Sequence, residues 1–357
     1  MHRDNSFENV HILGRGTKRD GYLDLIWTAS GIEFDMNASE LGIELWGGSS
    51  MTMPWISVCM DGKWLAHIPV QEGTNKITLF KGMDPNVTHR VRIIKDFQAE
   101  VDAPKNSLRI TELLCDGRIR KPDEKKYRIE FVGDSITSGE GILGAHEELD
   151  WITPYFSSVR NYAVMTADAL DADFRLISQS GWGVVCGYDN SPYKSVPAIY
   201  DSLNARMYVD DYDHDSWKTD AVVINLGTND GGAFDSLPFT DPKDGKVYKN
   251  KKLADGSYDP ESLARIEKGI KDFLKHLRQT NPEAHLLWVF GMLGWGLADT
   301  IEKAVTSYID ETGDKNAAFL KLEEAKGEAF GSRGHPGYAN HKAASEKIAN
   351  YLKTVLK

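Results

Sequence analysis

Residues 127–141 read Tyr127-Arg128-Ile129-Glu130-Phe131-Val132-Gly133-Asp134-Ser135-Ile136-Thr137-Ser138-Gly139-Glu140-Gly141, and this stretch decides the fold. Its first six residues form a short apolar run, the pattern of a strand, and Gly133 closes that run with a tight exit. A serine in such a glycine-bounded exit has its hydroxyl exposed and its own N–H aimed outward. Ligands of open α/β sheets sit beyond the carboxyl ends of the strands. A reactive group is therefore expected here.

Downstream, strand-like and helix-like runs alternate. Residues 159–170 read as a helix, 174–177 and 221–226 as strands, and 260–278 as a helix with Leu263, Ile266, Ile270, Phe273, Leu274 and Leu277 at helical spacing. A strand at 286–290, a helix at 297–309, a short strand at 317–320 and a closing helix at 337–356 follow. Strands alternating with helices predict a parallel sheet covered on both faces, an α/β/α layered unit of flavodoxin-like type. Residues 234–258, rich in Asp, Gly, Lys and Pro, read as a long surface loop.

Upstream the period is two. Leu23, Leu25 and Trp27 alternate with polar residues, as do Ile32, Phe34 and Met36, and Leu41, Ile43 and Leu45. Asp61-Gly62 between residues 55–60 and 64–70 is a hairpin signal. Further strands are expected at 76–80, 89–94 and 107–114. These features predict an N-terminal β-sandwich, a jelly roll, over residues 1–120 and an α/β unit over 121–357. The charged stretch 116–126, with Pro122, reads as the linker.

The chain has 357 residues, long enough for two domains at roughly 100–200 residues each. Its net charge is −11, so phosphate backbones and anionic lipid surfaces would be repelled, and neither nucleic acid nor membrane is expected as a partner. With 41% hydrophobic residues the chain can fill packed cores. No apolar run approaches the roughly 18 residues of a membrane span, and the first ten residues carry no signal-peptide core. Cys59, Cys115 and Cys186 lack the spacing of a zinc site or a disulfide scaffold. A cytoplasmic protein is expected, and a homo-oligomer is left open. The acidic tract Asp210-Asp211-Tyr212-Asp213-His214-Asp215 lacks the spacing of a calcium loop and reads as solvated surface.

Three more blocks fall at strand ends or a helix start: Ser180-Gly181-Trp182-Gly183, Gly227-Thr228-Asn229-Asp230 and Gly334-His335-Pro336-Gly337. Together with the first they supply the parts of an acyl-transfer site. Ser135 is the candidate nucleophile, too weak alone and needing an adjacent base. His335 is the candidate base, preferred over His341, which falls inside the last helix. The N–H groups of Ser135 and Gly181 and the side-chain amide of Asn229 are candidate oxyanion donors. Asp134 is read as a residue that bonds the turn backbone rather than as a catalytic acid.

These four blocks, in this order, resemble the SGNH (GDSL-type) hydrolases, whose Ser, Gly, Asn and His correspond to Ser135, Gly181, Asn229 and His335. The preceding β-rich region narrows the resemblance to carbohydrate esterase family 2. That resemblance implies removal of O-acetyl groups from xylo-oligosaccharides or related sugars, without metal or organic cofactor. It also implies an aromatic residue for stacking on sugar, for which Trp182 and Trp295 are candidates. The alternatives are an ester that is not a carbohydrate, such as a lipid or thioester, or a carbohydrate-binding protein with a weakened catalytic unit. One departure stands out. Members of the superfamily commonly carry an Asp two or three residues before the histidine, where this chain has Arg333 and Ser332. His335 is then held either by a backbone carbonyl or by a carboxylate from elsewhere, of which Glu328 is the nearest upstream.

Overall fold

Alternating short strands build the N-terminal region of the computed structural model, which describes residues 2–48, 52–100, 107–203 and 211–356. One antiparallel sheet runs Thr17–Arg19, Tyr22–Leu25, Leu108–Cys115, Glu40–Gly47, Gly73–Lys81, with His2–Asp4 also paired to Leu108–Cys115. The other runs Arg118–Arg120, Gly31–Asn37, His89–Lys95, Trp55–Met60, Lys63–Pro69, with His11–Leu13 also on Gly31–Asn37. The period-two residues Ile32, Phe34, Leu41, Ile43 and Leu45 are buried in one shared core, as face-to-face sheets require. This is the expected jelly-roll-like sandwich.

Part of the expected linker is structured. Within residues 116–126, Arg118–Arg120 adds an edge strand, pairing Arg118 with Asn37 and Arg120 with Asp35. The alternation explains it: Ile119 packs against the sandwich core, while Arg120 points outward and donates to the Asp35 carboxylate at 3.0 Å.

The second sheet is parallel, in the order Ala172–Ser178, Tyr127–Gly133, Ala221–Asn225, His285–Phe290, Ala317–Lys321. Numbered along the chain, that is 2-1-3-4-5, the flavodoxin-like order, whose switch point lies between the first and third strands. Ser135 and Asn229 follow those two strands. Helix Pro260–Thr280 covers one face; Asp259 caps it by accepting from the Ser262 N–H at 3.0 Å, and Pro260 opens it. Its Ile266, Ile270, Phe273, Leu274 and Leu277 are buried against Trp288 and Leu286. Helices Tyr162–Ala169 and Tyr338–Val355 cover the other face. Residues 234–258 are not all loop: Phe239–Thr240 and Val247–Tyr248 pair as a small hairpin.

The two regions are locked together by buried polar groups. Arg15 pairs with Glu130 at 3.0 Å, both nearly inaccessible. The Asp96 carboxylate accepts from Ser57 Oγ, at 2.7 Å, and from the N–H and hydroxyl of Ser158. Gln98 Oε1 accepts from the Ser180 N–H at 2.8 Å. Among the described residues, no helix is long and apolar enough to cross a membrane. Asp210 of the acidic tract lies outside the described residues, while Asp211, Asp213 and Asp215 are exposed, as expected of a solvated surface.

Candidate active site

Strand Tyr127–Gly133 ends in a single helical turn, Ser135–Ser138. Asp134 is its cap, accepting from the Ile136 N–H at 3.0 Å, so the aspartate bonds the turn backbone and Ser135 takes the first helical position. From there the Ser135 hydroxyl lies 2.9 Å from His335 Nε2, joining residues 200 positions apart. Both line a cleft of about 520 Å3, together with Gly181 and Asn229. The structure thus brings together all four blocks singled out in the sequence.

The imidazole's other nitrogen, Nδ1, lies 3.2 Å from the Arg333 backbone carbonyl. Of the two possibilities left open above, the carbonyl is the one in contact. Glu328 is exposed in the turn Gly327–Ala329 and does not line the cleft, so it is not the third member of a triad. Arg333 adopts a left-handed backbone (φ 57°, ψ 28°) on the short turn that leads into His335. His341 is fully buried, and its Nδ1 accepts from the Tyr162 N–H at 3.1 Å. Burial pushes it down to about 3, with the nearby His335 adding to the effect. It is a neutral packing residue.

The donors around the Ser135 hydroxyl are arranged by two acids. Gly181 has φ +78°, a left-handed conformation suited to glycine. Neither its N–H nor that of Ser135 has a protein acceptor among the described residues. The Asn229 amide donates to the Trp182 carbonyl at 2.8 Å and, at 3.3 Å, to Asp134 Oδ2. Asp230 accepts from the N–H groups of Val184, Val185 and Cys186 at 2.7, 2.8 and 3.3 Å. It thereby ties the third block to the second. Gly183 sits so close that a Cβ there would meet Asp230 Oδ2 at 2.3 Å.

Burial pushes the Asp134 carboxyl up to about 7, against the Ile136 N–H that favours its charged form and with Asp230 and Glu140 adding repulsion. A carboxyl raised on folding contributes stability below its ordinary range and loses it as pH climbs through its folded value. Stability should therefore fall, on the order of a few kcal/mol, from about pH 4 to about pH 7 from this residue. Asp134→Asn keeps the acceptor for Ile136 and should flatten that decline in a series of Tm measurements against pH. An unchanged slope would show that Asp134 is charged throughout.

Neither tryptophan takes the expected place of a sugar platform. Trp182 lines the cleft but is 3% exposed, its ring folded into the core with Val184, Val196 and Leu226. Trp295 is 42% exposed but does not line the cleft; its indole N–H is drawn to the Leu322 carbonyl at 3.0 Å and Lys321 lies over its ring. The aromatic groups at the cleft are instead Tyr188, 53% exposed, and Trp151, half-buried against Phe97 and Phe156. The sandwich contributes Thr52, Gln98 and Glu100 to the wall. Tyr188, Trp151, Gln98 and Glu140 are cleft residues that none of the sequence patterns above single out. Of these only Glu140 carried a signal, standing within the first block itself. Among the described residues, no group of three or more His, Cys, Asp or Glu could hold a metal ion.

A serine hydroxyl on the turn after a strand, an imidazole and converging amide donors at the switch point of a 2-1-3-4-5 sheet define a serine hydrolase arrangement. The sequence profile of the GDSL-like Lipase/Acylhydrolase family matches residues 131–342, more than half of the chain, and the chain belongs to that family. Its likeness to carbohydrate esterase family 2 extends over both regions. The acetyl xylan esterase Est2A of the rumen bacterium Butyrivibrio proteoclasticus superposes with a TM-score of 0.96 at 35% identity, covering 100% of this chain and 99% of that one. A family two carbohydrate esterase from Clostridium thermocellum, solved with cellohexaose, shares the fold with a TM-score of 0.82 at 22% identity, over 97% and 99%. In sequence the chain is 26% identical over 340 residues to the cellulase/esterase CelE of Acetivibrio thermocellus, spanning 92% of this chain but 37% of that relative's length.

Proposed function

We propose that the protein is a serine esterase that removes O-acetyl groups from acetylated carbohydrates, xylo-oligosaccharides or related sugars, through an acetyl-enzyme. The observation that carries this is the 2.9 Å contact between Ser135 Oγ and His335 Nε2 in a cleft where two backbone N–H groups have no protein acceptor among the described residues. The names of Est2A and of an acetylxylan esterase / glucomannan deacetylase from Cellvibrio japonicus, 24% identical over 86% of this chain, support the choice of acyl group and substrate.

The steps follow from the geometry. His335 Nε2 takes the Ser135 proton as Oγ attacks the acetyl carbonyl carbon, while Nδ1–H donates to the Arg333 carbonyl. The oxyanion of the tetrahedral intermediate accepts from the N–H groups of Ser135 and Gly181 and from the Asn229 amide, which exchanges its long contact with Asp134 for the substrate. Collapse breaks the bond to the sugar oxygen, and Nε2–H returns the proton to it. Water then attacks acetyl-Ser135 with His335 again as base, releasing acetate. Tyr188 and Trp151 offer aromatic faces for the sugar ring. Such apolar faces beside polar groups suit a polyhydroxylated ring better than a long acyl chain.

The test is acetate release from acetylated xylo-oligosaccharides beside a series of nitrophenyl esters of increasing acyl length. The reading predicts release from the sugars and a steep loss of kcat/KM beyond two or three acyl carbons, about 10-fold or more per added methylene in a filled pocket. Equal or rising activity on long acyl chains, with no release from sugars, would assign the site to a lipid or thioester.

A further inference from the structure

The carboxylate of a catalytic triad does two things: it fixes the imidazole's tautomer and it places negative charge near the imidazolium that forms. In this site the first task falls to the Arg333 carbonyl, a neutral group at Nδ1. Charge arrives from another direction. Glu140 Oε1 lies 3.7 Å from His335 Nε2 and 3.3 Å from Arg333 Nε, and its side chain is 5% exposed. The backbone fixes it there, since the Glu140 N–H donates to the Ser135 carbonyl at 3.0 Å. The facing strap is fixed too, by the Ser332 N–H on the Gly141 carbonyl at 3.0 Å.

We propose that Glu140 is a positioning residue that divides the work of the missing triad acid with Arg333, holding the arginine whose carbonyl orients His335 and supplying the negative charge the imidazolium requires. The proposal deepens the esterase reading and rests on it. Two features of Arg333 make such a partner necessary. Its left-handed backbone is disfavoured for a residue with a side chain, so a tie at the guanidinium helps to keep the carbonyl on Nδ1. Its cation, unopposed, would also repel a proton arriving on the imidazole. The remaining titratable and charged groups do not supply this compensation. His341 is neutral, Asp134 and Asp230 are engaged with backbone N–H groups, and Lys194 is paired with Asp189 at 2.6 Å. Glu100, on the sandwich wall, carries its own contact to Thr52.

The experiment is the pH profile of kcat/KM for acetate release by the wild type, Glu140→Gln, Glu140→Asp and Arg333→Gly, each checked for folding by its Tm. The acid limb reports the base of the free enzyme. Glu140→Gln should lower kcat by about 10²-fold with little change in KM, short of the roughly 10⁴ for a triad acid because the carbonyl still sets the tautomer. Its acid limb should move down, as expected on losing an opposite charge 3.7 Å from the imidazole, and Glu140→Asp should restore part of it. Arg333→Gly, compatible with the left-handed backbone, should move the limb up, because Glu140 then faces the imidazole alone. Should Glu140→Gln not fold, the opposite displacements of Glu140→Asp and Arg333→Gly decide the matter. A limb that stays in place in these variants overturns the role of Glu140 while leaving the esterase intact. A wild type that releases no acetate from any ester overturns the esterase reading instead.

Discussion

Replacing Ser135 by alanine should reduce acetate release by about 10⁶-fold in kcat while leaving the Tm within a degree or two of the wild type. The size follows from chemistry. Without the hydroxyl no acetyl-enzyme forms, and what remains is water attack helped only by the oxyanion donors. The small cost to folding follows from structure: the Ser135 side chain bonds His335 at the edge of the cleft, and the turn's cap is Asp134, which is untouched. Oligosaccharide binding should survive, so the variant should still bind acetylated substrate by calorimetry. Turnover persisting within tenfold of the wild type would remove Ser135 as the nucleophile.

Asp230→Ala should be the most damaging change to the scaffold of the site. It leaves the N–H groups of Val184, Val185 and Cys186 without their acceptor in a fully buried position. Each such orphan costs about 1–3 kcal/mol, so a loss of roughly 2–6 kcal/mol is expected even if one N–H finds another partner. Burial by itself pushes the Asp230 carboxyl up, and the three donors are what oppose that. Because the same loop carries Gly181 and the carbonyl of Trp182 that holds Asn229, kcat should fall with stability. Asp230→Asn, which keeps one acceptor oxygen, should be intermediate in both. Thermal unfolding beside acetate-release kinetics checks this; a wild-type Tm for the alanine variant would mean the loop stands without the carboxylate.

The candidate site was legible in the sequence where its chemistry is written in short, local blocks at strand ends and a helix start. Gly133 through Gly141, Ser180 through Gly183 and Gly227 through Asp230 each announce a turn beyond a strand, and the parallel sheet brings such turns to one end, while Gly334 through Gly337 announces the start of the last helix. The period-two residues of the sandwich were equally plain, because a half-buried strand must alternate. What stayed hidden depends on which way a side chain turns. Nothing in Ser180-Gly181-Trp182-Gly183 says that the indole is buried in the same core as Val184 and Val196, or that the exposed aromatic ring at the cleft is Tyr188. Trp295, beyond another strand end, is held back by the Leu322 carbonyl. The charge partner of His335 was hidden for a related reason. A search upstream of the histidine reaches Glu328, whereas Glu140 reaches Nε2 from the nucleophile's own turn, across almost the whole catalytic region. The edge strand at Arg118–Arg120 was masked by its charge, which an outward-facing Arg-Ile-Arg alternation tolerates.

Covalent trapping by a phosphonate ester that reacts with activated serine hydroxyls, followed by peptide mapping, tests the Ser135–His335 pair itself. One adduct per chain is expected, on Ser135, with labelling slowed about 10³-fold or more in His335→Ala and absent in Ser135→Ala. An adduct on a different residue, or equal labelling with and without the His335 imidazole, would contradict it.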